Sequence, residues 1–273
     1  MINMKYFLLL MCRLAGFFPQ PLTSYSNVLG VLKKVRPISA GIDLMRVGPE
    51  SDGGYLIPND LDGINALFSP GVSSESRFEL YFANLGIDVL MADASVEGPS
   101  VEHQKFHFQK VWLGVNSHDI TVSLDDFVLN SDFYGNGSKA DDREYILQMD
   151  IEGAEYEVLL ASSREILDSF RIIIIEFHNL HHIWARSFFR IADAVIAKLT
   201  HNHVPVHLHI NNCCGALNFN GLEIPRTIEV TFLRRDRIRD GSDLEGFTHL
   251  PHSLDRDCVE KKPSLPIPKY WRE

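Results

Sequence analysis

Short apolar runs alternate with amphipathic stretches along the chain from about residue 55 onward. The apolar runs predict seven strands, at residues 64–69, 87–92, 106–115, 145–150, 171–177, 204–210 and 227–233. Apolar positions at helical spacing predict helices at residues 77–85, 124–129, 154–162 and 184–199. The four consecutive isoleucines within residues 171–177 are typical of a strand that is buried on both faces of a sheet.

Strands joined by helices indicate a doubly wound, mostly parallel sheet, so the predicted fold class is α/β. The final connection, at residues 211–226, differs because it is rich in Asn, Gly and Cys and lacks a helical period. A parallel neighbour requires a crossover that is normally helical. We therefore expect a seven-stranded sheet whose last strand runs antiparallel to its neighbours.

The same patterning divides the chain into a helical cap over residues 1–40, one α/β domain over 41–240 and an irregular tail over 241–273. Three prolines, at positions 263, 266 and 268, argue against regular structure near the end. Residues 6–18 are mostly apolar, but they include Arg13 and are shorter than the roughly 20 apolar residues of a membrane span. This segment predicts either a helix packed on the core or a helix that lies on a membrane surface.

Composition excludes one class of partner and argues against one class of metal site. The chain has 273 residues, with 36 Asp and Glu against 26 Lys and Arg, a formal net charge of -10 and no basic stripe. Nucleic-acid binding depends on clustered basic residues, so we expect no nucleic-acid partner. The four cysteines, Cys12, Cys213, Cys214 and Cys258, form no C-x-x-C pair, which argues against a zinc cage. Adjacent Cys213 and Cys214 favour a reducing, cytoplasmic compartment, with membrane association if residues 6–18 lie on a membrane.

The ends of the first two predicted strands have features of a nucleoside site. The first strand leads into a Ser-Pro-Gly turn whose glycine, Gly71, precedes a helix. Glycine lets a backbone approach a ligand closely, and the amides at a helix N-terminus attract negative groups. Asp93 ends the second strand, where an acid accepts both ribose hydroxyls of a nucleoside cofactor. Enzymes with different nucleoside cofactors share this feature, so it predicts a nucleoside and not a reaction.

The ends of the fourth and fifth predicted strands bring together groups suited to proton transfer. Asp150 and Glu152 follow an apolar run, and carboxylates at i and i+2 point to the same side of a strand end. The fifth strand ends in Glu176 and His178, and its end is expected to adjoin that of the fourth. Histidine takes up a proton near neutral pH, and two carboxylates with nitrogen or oxygen donors also suit a hard cation such as Mg²⁺. The sixth strand ends toward the same edge, in the sequence His-Ile-Asn-Asn at residues 209–212.

Several short segments occur in collinear order over about residues 44–235. They are residues 46–48 (RVG), 52–55 (DGGY), 68–73 (FSPGVS), 78–79 (FE), 91–95 (MADAS), 123–127 (SLDDF), 149–155 (MDIEGAE), 176–178 (EFH), 209–212 (HINN) and 229–231 (EVT). Each is modest alone, but the ordered set resembles the FkbM-type S-adenosylmethionine (SAM)-dependent methyltransferases. The departure from that family is the first turn, where Ser69-Pro70-Gly71 replaces a glycine-rich loop.

The resemblance implies a SAM-methyltransferase domain over residues 41–240, with six parallel strands and one reversed strand. It places the cofactor SAM at Gly71, Ser73, Asp93 and Ala94. It also implies O-methylation as the reaction, so we expect methyl transfer to a hydroxyl of a sugar, a larger glycan or another polar small molecule.

Roles for the remaining candidates follow from that expectation. Asp150 or His178 is the expected base, and Glu152 is expected to orient it; Asp150 and Glu152 are also candidate ligands of a divalent cation. Acceptor specificity is expected to lie in the loops at residues 130–143 and 212–226. Two alternatives stay open: a non-catalytic nucleoside-binding or scaffold protein, and a metal-dependent hydrolase that uses Asp150, Glu152, His178 and His182.

Overall fold

The computed structural model of the protein describes residues 4–16, 19–133, 144–239 and 248–272. The predicted acceptor loop at 130–143 and the predicted tail at 241–273 each fall partly outside the described residues. So do the first three residues of the predicted cap.

The elements are numbered in chain order. The first half contains α1 (Met4–Leu14), α2 (Tyr25–Lys34), β1 (Leu44–Val47), β2 (Tyr55–Pro58), β3 (Ala66–Pro70), α3 (Arg77–Asn84), β4 (Asp88–Ala92), β5 (Phe106–Gln109), β6 (Trp112–Gly114), β7 (Thr121–Ser123) and α4 (Leu124–Leu129). The second half contains β8 (Tyr145–Met149), α5 (Glu155–Ala161), α6 (Arg164–Asp168), β9 (Phe170–Phe177), α7 (Arg186–Asn202), β10 (His203–Ile210), β11 (Ala216–Phe219), β12 (Leu222–Pro225), β13 (Ile228–Arg234) and α8 (Lys269–Arg272).

Seven strands form the central sheet in the order β10-β13-β9-β8-β3-β4-β5. The strands from β9 to β5 are parallel to their neighbours, whereas β13 runs antiparallel to both β9 and β10. The predicted α/β class, the seven strands and the reversed last strand are therefore confirmed. Because β8 and β9 pair directly, the two strand ends that carry the candidate catalytic groups meet at one edge of the sheet.

The centre of the sheet is covered on both faces. Every residue of β8, β9 and β13 is buried, as expected for strands that have helices or hairpins on either side. Helices α5 and α7 pack on one face, and α3 with the β1–β2 hairpin packs on the other. Each isoleucine of β9 that leaves water in this way contributes roughly 1.5–3 kcal/mol to folding.

Three small sheets were not predicted by the apolar pattern. The predicted strand at 106–115 divides, because β5 ends at Gln109 and β6 pairs with β7 outside the central sheet. The β1–β2 hairpin lies before the first predicted strand. The β11–β12 hairpin occupies the connection at 211–226, and its turn contains Asn220 and Gly221 at φ values of 52° and 77°. An Asn-Gly pair between short apolar runs is a hairpin signal, so this element could have been predicted.

The expectation that the N-terminal apolar segment packs on the core is wrong. Met4 is 76% exposed and Leu14 is 74% exposed, and the apolar residues of α1 lie around the whole helix, so no single face can bury them all. In the part of the chain that the structure describes, no helix is long and apolar enough to cross a membrane. The contact of residues 6–18 with a membrane surface stays a prediction, and residues 17–18 lie outside the described ranges.

The C-terminal tail is less irregular than predicted. Helix α8 follows Pro268 directly, at a helix start where the fixed φ of proline is tolerated. Its Trp271 is 0% exposed, and the indole Nε1 donates a hydrogen bond to the carbonyl oxygen of Leu32 in α2 over 2.8 Å. The tail is therefore docked on the domain by a buried aromatic anchor.

Candidate active site

The turns that follow β3 and β8 touch each other at the carboxyl edge of the sheet. Gly71 has a φ of 89°, and a Cβ at this position would lie 1.6 Å from the carbonyl oxygen of Asp150. A side chain there would force the two turns apart. Glycine is therefore required at position 71 because another segment of backbone lies against it. The sequence analysis instead assigned this glycine to cofactor binding.

Asp93 fastens the end of β4 to the same region. One carboxylate oxygen accepts from the backbone N–H of Ser73 at 2.8 Å, and the other accepts from the N–H and the hydroxyl of Ser95 at 2.7 and 2.6 Å. Ser73 is held in the left-handed region, with φ 51°. Ala94 is half-buried in the adjoining loop. The structure therefore places all four predicted cofactor residues around these two loops.

An acidic cavity of about 280 Å³ lies between the turns and the loop that precedes β2. Its acidic lining residues are Asp52, Glu75, Glu79 and Asp150, and no lysine or arginine is among the described residues that line it. Small-molecule sites typically occupy about 300–1,000 Å³, so the cavity has the size of a small site. Its charge favours a ligand that carries positive charge.

His178 is held at the edge of this region by a buried glutamate. Its Nδ1 lies 3.0 Å from Oε1 of Glu155, which is 0% exposed and also accepts from the N–H groups of Ile151 and Gly153 at 3.2 and 2.9 Å. Burial lowers the pKa of His178, but the bond to Glu155 and the nearby Asp150 and Glu152 outweigh burial and raise this pKa to about 9. Glu155 thus fixes the ring and stabilises its protonated form.

The other ring nitrogen of His178 faces three carboxylates. Nε2 lies 3.9 Å from Oδ1 of Asp150, 3.6 Å from Oε2 of Glu152 and 3.6 Å from Oε1 of Glu176. Burial raises the pKa of Asp150 to about 7, against the opposing effect of His178. Burial also raises the pKa of Glu176, and the charge of Asp150 adds to that effect. Asp150 is therefore an acid that titrates near neutral pH.

A hydrogen-bonded row of buried side chains supports the cavity from behind. Ser69 lies 2.6 Å from a carboxylate oxygen of Glu79 and 2.7 Å from the amide oxygen of Gln148, whose amide nitrogen donates to the hydroxyl of Tyr55 at 3.2 Å. Ser69 has one hydroxyl proton, so both of its contacts are satisfied when Glu79 is protonated and donates to Ser69. Burial raises the pKa of Glu79 to about 7, in agreement with that arrangement.

The structure brings Asp150, Glu152 and His178 together, but it gives Glu152 a different environment. The side chain of Glu152 is 87% exposed, in a turn with φ 55°. The donor atoms of Asp150, Glu176 and His178 lie within 4.8 Å of one another and form a candidate site for a hard cation. Among the described residues, no such ligand group contains Glu152 or His182, so the set expected for a hydrolase is not assembled.

One important residue, Glu155, had no role of its own in the sequence interpretation. Glu155 was grouped with a helix, although a carboxylate at a helix start beside two free N–H groups is a recognisable signal. Tyr55 belongs to residues 52–55, for which the sequence left open either closure over the cofactor or a structural turn and strand start; it lies in β2 and lines the cavity.

The end of β10 serves a different purpose from the one expected. Asn211 reaches the site, where its amide donates to Oε1 of Glu176 at 2.8 Å. Asn212 instead binds the C-terminal tail, and His209 lies 3.7 Å from Asp255 of that tail. Only part of this segment therefore belongs to the candidate active site.

A seven-stranded sheet with one reversed strand is the arrangement that the sequence resemblance implied for a methyltransferase. Within that class, residues 87–204 match the family model described as the methyltransferase FkbM domain. The matched stretch contains Asp93, Asp150, Glu155 and His178. This match confirms the resemblance predicted from the sequence.

Solved structures show only distant likenesses, each covering 63% of this chain. One is a candidate RNA methyltransferase from Pyrococcus horikoshii (TM-score 0.29, 12% identity, 76% of that chain). Another was solved in work on the conversion of a disulfide bond into a thioacetal group during echinomycin biosynthesis (TM-score 0.30, 12% identity, 76% of that chain). A third is an antibiotic-related methyltransferase (TM-score 0.27, 9% identity, 89% of that chain). These TM-scores are too low to bear on fold or activity. No curated protein matches the sequence significantly.

Proposed function

We propose that this protein transfers a methyl group from SAM to a hydroxyl of a sugar, a glycan or another polar small molecule. The FkbM domain supports the methyltransferase class. The observation that carries the proposal is the position of Asp150, which lines the acidic cavity and also lies 3.9 Å from His178. Asp150 thus connects the candidate cofactor cavity with the cationic side chain that is expected to position the acceptor.

The residues present fit SAM by charge. SAM has a sulfonium and an ammonium group, and Asp52 and Asp150 are the acids of the cavity that complement them, since Glu75 pairs with Arg77 and burial favours the protonated form of Glu79. Gly71, Ser73, Asp93 and Ala94 are the residues that would hold it. A carboxylate has about four acceptor positions, and Asp93 uses three of them within the protein, which leaves room for one ribose hydroxyl rather than two. When bound, SAM supplies the electrophilic methyl group.

Asp150 is the better candidate for the base, because a general base works best when its pKa lies near the working pH. Its pKa of about 7 meets that condition, whereas the pKa of His178, at about 9, keeps the imidazole protonated. The acceptor hydroxyl would give its proton to Asp150 as its oxygen is alkylated. His178, fixed by Glu155, then supplies positive charge beside the carboxylate and positions the acceptor.

Calorimetric titration with SAM and with S-adenosylhomocysteine, with and without EDTA, tests the cofactor. We expect both to bind the wild type, and Asp93→Ala to weaken binding by about 10-fold or more, because a hydrogen bond to a charged group is lost. Absence of binding in all conditions would overturn the proposal. A loss caused by EDTA would show that cofactor binding depends on a metal ion.

Turnover on a panel of sugars and glycans, measured as S-adenosylhomocysteine formation, tests the residues. Asp150→Asn should lower kcat by about 10²–10⁴-fold, with a much smaller effect on SAM affinity. Glu157→Gln is the matched control, because Glu157 is exposed on α5 a short distance beyond the site. His178→Ala is compared with His182→Ala, whose side chain is exposed. Full turnover in both Asp150→Asn and His178→Ala would contradict the assignment.

A further inference from the structure

A row of polar side chains crosses three adjacent strands beside the cofactor cavity. In the sheet register His209 of β10 lies opposite Glu229 of β13, and Glu229 lies opposite Glu176 of β9. Residues directly opposite each other in an antiparallel pair share a face and lie within contact distance. Glu229 is 5% exposed and Glu176 is 4% exposed, so two acids face each other in a buried setting. Like charges in that position are unfavourable unless a cation accompanies them.

The C-terminal tail adds a thiol to this row. The Sγ of Cys258, a residue that is 8% exposed, lies 3.1 Å from Oε1 of Glu229. The chain beyond the cysteine is fastened by Asn212, which accepts from the N–H of Val259 at 2.8 Å and donates to the carbonyls of Val259 and Lys262 at 3.0 and 3.1 Å. The position of the thiol is therefore built by the fold.

His209 completes the group. Both of its ring nitrogens are buried and form no hydrogen bond within the described chain. A ligating atom of His209, one of Glu229 and the sulfur of Cys258 all lie within 4.8 Å of one another. Arg46 is nearby, but its guanidinium donates to the carbonyl oxygens of Pro49 and Ser51.

We propose that His209, Glu229 and Cys258 bind a divalent metal ion of the zinc type. Nitrogen, oxygen and sulfur donors together suit Zn²⁺, which binds at about 2.0–2.3 Å from each, and a single ion fits among donors this close. The Cys258 thiol loses its proton to solvent as the ion binds. Asp255, whose Oδ1 lies 3.7 Å from Nδ1 of His209, would orient the ring from behind.

Such an ion would join the tail to the sheet, since Cys258 lies in the tail and the other two ligands lie in β10 and β13. The three ligands differ from Asp150 and His178, so the inference does not depend on the proposed methyl transfer. The absence of a C-x-x-C pair from the sequence does not exclude it, because the three ligands are assembled by strand register and by the returning tail.

Titration of the metal-free full-length chain with Co²⁺ tests the proposal. We expect one Co²⁺ per chain, with the near-ultraviolet sulfur-to-cobalt charge-transfer band of a thiolate ligand, and displacement of that ion by Zn²⁺. Cys258→Ser should abolish the band, whereas Cys213→Ser and Cys12→Ser should keep it. Asp255→Asn should keep the band but weaken metal affinity by about 10–100-fold.

A second measurement, on the wild type, keeps the test decisive if Cys258→Ser does not fold. Zn²⁺ should protect Cys258 of the wild type from alkylation and should raise the wild-type Tm. The absence of a band in the wild type, or a band that survives in Cys258→Ser, would overturn the proposal. Manganese binding that persists in Cys258→Ser, with no cobalt band in the wild type, would also overturn it in favour of the all-oxygen group Asp52, Glu176 and Glu229.

Discussion

Carboxylates at the two ends of the central sheet have opposite kinds of surroundings. At the amino ends of β8 and β9, Glu144 lies 2.7 Å from Nε of Arg171 and 2.6 Å from Nη2 of Arg234. Asp60 lies beside them, 2.6 Å from Nη2 of Arg237. Burial alone would raise the pKa of Asp60, but the bond to Arg237 and the charge of Arg171 outweigh it and lower this pKa. Glu144 and Asp60 thus each have guanidinium partners.

At the carboxyl ends of the same strands the acids lack such partners. Within the described part of the chain, neither lysine nor arginine forms an ion pair with Asp52, Asp150, Glu176 or Glu229, and His178 is the cation that contacts two of them. Burial raises the pKa of both Asp150 and Glu176. The acids at the amino ends are therefore neutralised by arginines of the same protein, whereas the acids at the carboxyl ends remain available to a ligand.

The largest effect is expected from removing an arginine at the amino ends of β8 and β9. Arg171→Met should lower the free energy of unfolding by about 3–5 kcal/mol, because it removes a buried guanidinium that pairs with Glu144 and leaves that acid with Arg234 alone. The side chain of Arg171 is 4% exposed and also donates to the carbonyls of Asp60 and Asp62, so those bonds are lost too. Urea denaturation measures the change, with the exposed Arg190→Met of α7 as the control. A loss no larger than that of the control would contradict the prediction.

A second, smaller effect concerns pH and the acid behind the cavity. The pKa of Glu79 is raised from 4.5 to about 7 by burial, so the folded state holds its proton more tightly than the unfolded state. Its contribution to stability is complete below pH 4.5 and is lost as the pH rises toward 7, by up to about 3 kcal/mol.

Denaturation of Glu79→Gln across this pH range, compared with the wild type, isolates that contribution. The variant should lack the decline between pH 4.5 and 7 that Glu79 causes in the wild type. Parallel profiles for the two proteins would show that folding does not raise the pKa of Glu79.

The smallest effect on stability is expected from removing an acid at the carboxyl ends of the strands. Glu176→Gln, measured in EDTA at neutral pH, should leave stability unchanged or raise it by up to about 1 kcal/mol, because it removes one of two acids that face each other. The amide oxygen still accepts from Asn211. The urea denaturation assay described for Arg171 measures the change. A loss of several kcal/mol in the free energy of unfolding would show that the acids at the carboxyl ends are neutralised as fully as those at the amino ends.

The sheet was predictable because its signals are local. Four isoleucines in a row indicate a central strand, and the non-helical connection at 211–226 indicates that the last strand turns back. The β1–β2 hairpin and the exposed position of α1 were not predictable in this way. In both cases the result depends on which surfaces the rest of the fold leaves open, and the local pattern does not contain that information.

The candidate site was predictable only in part, for a related reason. Strand ends reveal Asp93, Asp150 and His178, since parallel strands finish at one edge. The carboxylate that orients His178 and the thiol that approaches Glu229 come from a helix start and from the tail. Contacts of that kind arise from tertiary packing, so spacing along the chain does not predict them.

The position of β13 has a consequence for synthesis of the protein. This strand leaves the ribosome last of the seven, yet it separates β9 from β10. Until it emerges, the edge of the isoleucine-rich β9 has no partner, and β10 has no strand beside which to pair. An unpaired, strongly apolar edge invites association with other chains. Closure of the sheet is therefore delayed until β13 has left the ribosome. During that interval the nascent chain is most exposed to association, and a chaperone would protect it most.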